Sequence, residues 1–295
     1  MKIGLCLSGG GIKGAAHIGA IKALEEEGIK IDCVSGTSSG SIVASLYAMG
    51  YTPEEMLKLF KNYGKEISKI NWFIIIKLLL GILFERKICI EGLNKGDKLA
   101  KIIQKSAKDK NIKLISDIKM PLIIPSVNLY NGSIYMFTSL KNERKYSDEI
   151  YTVHNIDIGK AVQASCSYPG IFCPTDFNNQ KLVDGGVREN TPWKELKEIG
   201  AEKIISIVFN EEKKEKKKIN ILDAITGSMG IMMHELYNYE IEGIEYLLKI
   251  KTDKIWLLDI DKTEELYETG YKATKEKIDE IKKYISKDEH LNSRT

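Results

Sequence analysis

Short apolar runs alternate along this chain with longer segments of helical periodicity. Residues 2–7 (KIGLCL) form a continuous apolar run that ends in glycines, the pattern of a buried strand. The next stretch, GAAHIGAIKALEEEG, carries small and apolar residues at helical spacing and stops at Gly28, so a helix is expected there. Residues 31–35 predict a second strand, and residues 39–49 a second helix ahead of Gly50. Thr52-Pro53-Glu54-Glu55 reads as a capping box with proline at the first helical position and starts a third helix. Residues 94–107 and 158–165 read as helices, and PLIIPSVNLYNGSIYMFTS as a hairpin turning at Asn131-Gly132. Residues 181–183 are a short strand running into Asp184-Gly185-Gly186. TPWKELKEIG has the proline start and glycine stop of a helix, EKIISIVF and KIWLLDI read as late strands, and residues 267–286 as a closing charged helix. Strands alternating with helices predict an α/β fold, a mostly parallel central sheet wrapped by helices on both faces. No internal repeat or interdomain linker interrupts the pattern.

Composition narrows the function classes. The 295 residues are 43% hydrophobic and 29% charged, enough for a large globular core. A net charge of +3 gives no global argument for nucleic acid. EEKKEKKK at 211–218 reads as a solvated loop, with a basic contact for anionic lipid as the alternative. Five scattered cysteines, Cys6, Cys33, Cys89, Cys166 and Cys173, lack metal-ligand or disulfide-framework spacing; reduced thiols in a cytoplasmic protein are expected. The N-terminal apolar run is too short for a signal peptide. Residues 70–84 (INWFIIIKLLLGILF) fall short of the roughly 20 apolar residues a membrane span needs, and Lys77 interrupts them. They are expected to form a buried helix, a lid or a surface that touches lipid.

Candidate chemistry centres on CVSGTSSGSIVASL, where a strand becomes a helix through Gly36-Thr37-Ser38-Ser39-Gly40. A serine on such a turn exposes its hydroxyl, and the helix that follows points its positive end at the reacting centre. The pattern alone also fits an inert glycine turn. A second feature, SGGGIKG at residues 8–14, has three readings. A P-loop fails because Ala15 stands where lysine should follow Gly14. A dinucleotide fingerprint fits Gly9, Gly11 and Gly14, but Asp32 lies at the start of its strand rather than the end. In the third reading the loop's backbone amides form an oxyanion hole, to which Lys13 adds positive charge unless it serves only the surface. A base is also needed. His17 faces the interior of the first helix, His234 lies in a helical, partly buried stretch, His290 is in a charged tail, and His154 is the fourth. Asp184, fixed at a turn before two glycines, is the better candidate.

Taken in order, these elements resemble the patatin-like phospholipase family. GGGIKGAAHIGAIKALEEEGI is similar to the family's first loop and helix, VSGTSSGSIVAS to its nucleophile elbow, ASCSYPGIFCP to the segment before its catalytic aspartate, and LVDGGVRENTP to that aspartate's own motif. The resemblance implies a three-layer sandwich. Its catalytic core would span residues 3–200 with a variable apolar cap at about 64–90, and residues 201–295 would complete the same domain. It implies a lipid acyl hydrolase with a dyad of Ser38 and Asp184 and no histidine. The oxyanion hole would be drawn from Gly9, Gly10, Gly11, Ile12, Lys13 and Gly14, centred on Gly10, Gly11 and Ile12. Gly36, Thr37, Ser39 and Gly40 would shape the elbow, and Gly185 and Gly186 the aspartate's turn. No metal or cofactor is implied. The expected partner is phospholipid or another acyl ester, met in the cytoplasm or at the inner membrane surface, with Trp72, Phe73 and Ile76 as candidate lipid contacts. A soluble carboxylesterase or thioesterase is the alternative within hydrolases, and a nucleotide-binding protein the alternative outside them.

Overall fold

The computed structural model describes residues 1–67, 91–141, 149–210, 221–252, 255 and 259–287. The apolar segment 70–84 with Trp72, Phe73 and Ile76, the charge run 211–218, Cys89 and His290 lie outside the described residues. The chain enters through β1 (Ile3–Leu7), passes into α1 (Gly14–Glu26), returns as β2 (Cys33–Gly36) and leaves through α2 (Ser39–Ala48). The expected capping box opens α3 (Pro53–Ile67): Glu55 N donates to Thr52 Oγ1 at 3.3 Å and Thr52 N to Glu55 Oε2 at 2.9 Å. Next come α4 (Asp97–Asp109), the hairpin of β3 (Leu122–Asn128) and β4 (Ile134–Thr138), then β5 (Ile150–Val153) and α5 (Ile158–Ser165). β6 (Thr175–Phe177), β7 (Gln180–Asp184), α6 (Lys194–Glu198) and β8 (Lys203–Asn210) follow. The described chain closes with α7 (Ile221–Glu240), β9 (Tyr246–Lys251), α8 (Thr263–Glu276) and α9 (Ile278–Ser286).

The strands form one α/β sheet in the order β5-β4-β3-β2-β1-β8-β9, with β7 and β6 attached beside β3. The pairs β1–β2, β1–β8, β2–β3, β4–β5 and β8–β9 are parallel. Period-two alternation along β1 sends Leu5 and Leu7 to the larger core and Cys6 to the smaller core on the opposite face. The larger face is covered by α1 to α5 and α8, the smaller by α6 through Trp193 and Leu196. The α1–α8 crossing is close because it is made of glycines: a Cβ on Gly19 would overlap the Tyr267 carbonyl, and one on Gly270 the Ala16 carbonyl.

The pairing along β3 positions the site. Its first residues pair with β2, Val34 opposite Leu122 and Ser35 opposite Ile123. Its last residues pair on the same edge with β7, running the other way, with Ser126 opposite Asp184. β2 and β7 therefore run toward each other end to end along β3. The residues that leave β2 meet the residue that ends β7.

Some sequence expectations need correcting. The strand beside β8 is β9, whose buried Leu248 and Ile250 alternate with exposed Lys249 and Lys251. In KIWLLDI, Lys254 and Trp256 to Leu258 lie outside the described residues, and Ile260 opens a 3-10 turn rather than ending a strand. The closing helix breaks at Lys277 into α8 and α9. The short border strands β5 and β6 had no clear sequence signal. Among the described residues, no helix is long and apolar enough to cross a membrane.

Candidate active site

Ser38 sits between β2 and α2 with φ 52° and ψ −123°. The other non-glycine residues with positive φ among those described are Asn111, Asn178 and Asn179, a residue type that tolerates this region. A serine held there stores on the order of 1–3 kcal/mol of strain, and its surroundings must enforce it. Ser38 N donates to Ser165 Oγ at 3.1 Å, and Ser38 O accepts from Ser41 Oγ at 2.6 Å and Ser41 N at 2.9 Å. Gly40 lets α2 start against the end of β1, since a Cβ there would overlap the Leu7 carbonyl.

Asp184 ends β7 and is 2% exposed. Its Oδ1 accepts from Gly186 N at 2.8 Å, and its own amide donates to Ser167 O at 3.0 Å. The nearby Ser38 hydroxyl favours the ionised form of the carboxylate. Oδ2 is buried and holds no hydrogen bond among the described residues. Burial dominates, and it pushes the Asp184 proton affinity up from 3.8 to about 7 against the opposing pull of Ser38 and Gly186.

The glycine loop abuts this pair, with a Cβ on Gly9 falling 3.1 Å from Ser38 Cβ. Three of its amides are already committed. Gly9 N donates to Asn190 Oδ1 at 3.1 Å, Lys13 N to Gly10 O at 3.3 Å, and Gly14 N to the carbonyls of Gly11 and Ile12. The amides of Gly10, Gly11 and Ile12 hold no hydrogen bond among the described residues. Gly11 takes φ 60°, a turn its lack of Cβ permits. Lys13 is not a surface residue but 2% exposed.

No imidazole bonds to Ser38 or Asp184 among the described residues. His17 is fully buried, its Nε2 bonded to Ser8 O at 2.9 Å, and burial lowers its proton affinity to about 4, so it is neutral. His234 is exposed on α7 rather than partly buried. Asp32, the acidic residue of the dinucleotide reading, accepts the Ile3 amide at 2.8 Å at the opposite end of β1 from the glycine loop.

A model of the family described as patatin-like phospholipase matches residues 5–197. The chain belongs to that family. It is also 32% identical to YqhO of Bacillus subtilis (strain 168) over 225 residues, covering 74% of each chain. Lysophospholipase NTE1 of Candida albicans is 26% identical over 297 residues, which cover 92% of this chain but only 19% of that enzyme. The solved structure of VipD from Legionella pneumophila shares the fold, with a TM-score of 0.53 and 17% identity over 95% of this chain and 67% of that one.

Within this patatin-like fold, several neighbours of the site escaped sequence reasoning. Ser165 and Cys166 lie in the ASCSYPGIFCP segment, and Cys166 Sγ is 3.7 Å from Ser41 Oγ. The buried Tyr63 phenol of α3 is close enough to feel the Asp184 charge, which adds to the effect of burial in raising its proton affinity. Asn190 and Glu240 stand behind the glycine loop. Asn190 lies inside LVDGGVRENTP, the aspartate's own motif, and its place there is the signal that could have singled it out.

Proposed function

We propose that this chain hydrolyses carboxylic esters of phospholipids or lysophospholipids, with Ser38 as nucleophile and Asp184 as its base. The observation that carries this reading is the end-to-end approach of β2 and β7, with a buried carboxylate beside a strained serine hydroxyl. Ser38 Oγ attacks the ester carbon while Asp184 takes its proton. The carbonyl oxygen becomes an oxyanion before the amides of Gly10, Gly11 and Ile12, at the positive end of the turn that opens α1. Collapse breaks the ester C–O bond, and the leaving alcohol takes the proton from Asp184, which leaves an acyl-Ser38 ester. Water then gives a proton to Asp184 and attacks the acyl carbon. The second collapse releases the fatty acid and returns the proton to Ser38. A carboxyl group poised near 7 is a far better base than one of ordinary pKa.

An apolar substrate suits the surroundings. Met233 of α7 packs near the Tyr168 hydroxyl beside the site, and the same helix exposes Ile231 (58%) and Met232 (64%). Trp72, Phe73 and Ile76 are assigned to lipid contact on sequence alone. Turnover of phosphatidylcholine vesicles, lysophosphatidylcholine and p-nitrophenyl butyrate tests the reading, alongside fluorophosphonate labelling. Ser38→Ala is expected to lose the label and, like Asp184→Asn, about 10,000-fold in kcat. Wild-type turnover in either variant ends the reading, and cleavage of the butyrate ester alone favours a soluble esterase.

A further inference from the structure

The backbone after β7 is held firmly from behind. Glu240, at the end of α7, accepts the Asn190 amide on Oε1 at 2.9 Å and Oε2 at 3.0 Å, and the Thr191 amide on Oε2 at 3.1 Å. Trp193 Nε1 donates to the Glu240 carbonyl at 2.7 Å and fixes the helix end to the same loop. Asn190, braced in this way, accepts the Gly9 amide on Oδ1 at 3.1 Å and on its backbone oxygen at 3.4 Å. Asn190 Oδ1 also lies 2.5 Å from where a Cβ on Gly9 would be and 3.0 Å from where one on Gly186 would be. A single amide oxygen is wedged between the loop that faces Ser38 and the turn that follows Asp184.

That wedge answers a mechanical need. Consecutive glycines give a loop almost no restraint of its own, and their amides can rotate away from a ligand. Useful oxyanion donors must be aimed before the charge develops. With the Gly9 N–H tied down, the peptide planes that follow it start from a fixed point beside Ser38.

We propose that Asn190, braced by Glu240, is a positioning residue that aims the oxyanion-binding amides of Gly10, Gly11 and Ile12. The inference rests on the assignment of Ser38 and those amides made above. Asn190 touches no reacting atom and acts through Gly9.

The test compares Asn190→Ala, Asn190→Asp and Glu240→Gln with wild type at pH 9, on lysophosphatidylcholine. Affinity for an acyl trifluoromethyl ketone, which forms an oxyanionic adduct with Ser38, is measured in parallel. Asn190→Ala should lose about tenfold in kcat with KM unchanged, a fraction of the roughly 100- to 1000-fold that deleting a whole donor costs. Ketone affinity should fall by the same factor. Asn190→Asp keeps the acceptor for Gly9 N and should recover most of both, and Glu240→Gln should reproduce the loss in weaker form. Wild-type kcat in Asn190→Ala overturns the proposal. So does a loss shared equally by KM and product binding, or one that Asn190→Asp fails to rescue. If Ser38→Ala also keeps its turnover, the assignment of the site has failed; if Ser38→Ala is inactive, only the role of Asn190 has.

Discussion

Asp184 is a buried carboxylate and Glu240 a half-buried one, and burial pushes the proton affinity of each up to about 7. Their partners differ. Both oxygens of Glu240 are occupied by backbone amides, from Asn190 and Thr191. Asp184 uses one oxygen on the Gly186 amide and, among the described residues, keeps the other without a hydrogen bond. A raised pKa alone would nominate either as a base. The surroundings separate them: Asp184 keeps one oxygen free of hydrogen bonds beside Ser38, whereas both oxygens of Glu240 hold backbone amides behind the glycine loop.

The sharpest way to break that distinction is to neutralise each group in turn. Asp184→Asn should cost about 10,000-fold in kcat at pH 9, whereas Glu240→Gln should cost about tenfold or less. Equal losses, measured on lysophosphatidylcholine, would erase the contrast. The next effect is in the pH profile. Asp184 must be ionised to act as base, so kcat/KM should be flat above pH 8 and fall at least about tenfold per pH unit below about 7. Glu240 lies near Glu189, Glu195 and Lys194 and also takes up a proton near 7, which weakens its grip on Asn190. The acid limb of wild type should therefore be steeper than that of Glu240→Gln. An activity constant from pH 5 to 8 would contradict the role given to Asp184.

The sequence carried one half of this comparison and hid the other. As candidates, Ser38, the glycine loop and Asp184 were legible because each lies at a strand end marked by glycines, where backbone geometry is local. The bounds of α5 and the capping box of α3 were legible for the same reason. The brace was not, because it is made across long stretches of chain. Gly9 and Asn190 are 181 positions apart, Asn190 and Glu240 50, and Ser38 and Ser165 127. No periodicity or turn signal connects residues at such separations. Lys13, open between the glycine loop and the surface, is buried, and His234, read as partly buried, is exposed, because helical spacing predicts a face but not whether another element covers it.

The smallest predicted effect separates the two carboxylates by stability. Asp184 holds its proton to about pH 7 in the folded protein, against an ordinary value of 3.8, so its folded pKa is raised. Its contribution to stability is therefore fully present at pH below 3.8 and is lost as pH rises through about 7, where the buried group must ionise. Asparagine at that position removes the cost of ionisation and can still accept from Gly186 N. Asp184→Asn should melt above wild type at pH 8, with the gap closing as pH falls toward 4. Glu240→Gln removes a similar cost but also presents an amide NH2 to the backbone donors of Asn190 and Thr191, so its melting temperature at pH 8 should not rise. Calorimetry at pH 8, 6 and 4 reads both. A matching rise in Glu240→Gln would mean that the two amides contribute little to holding that carboxylate, and the brace would lose its physical basis.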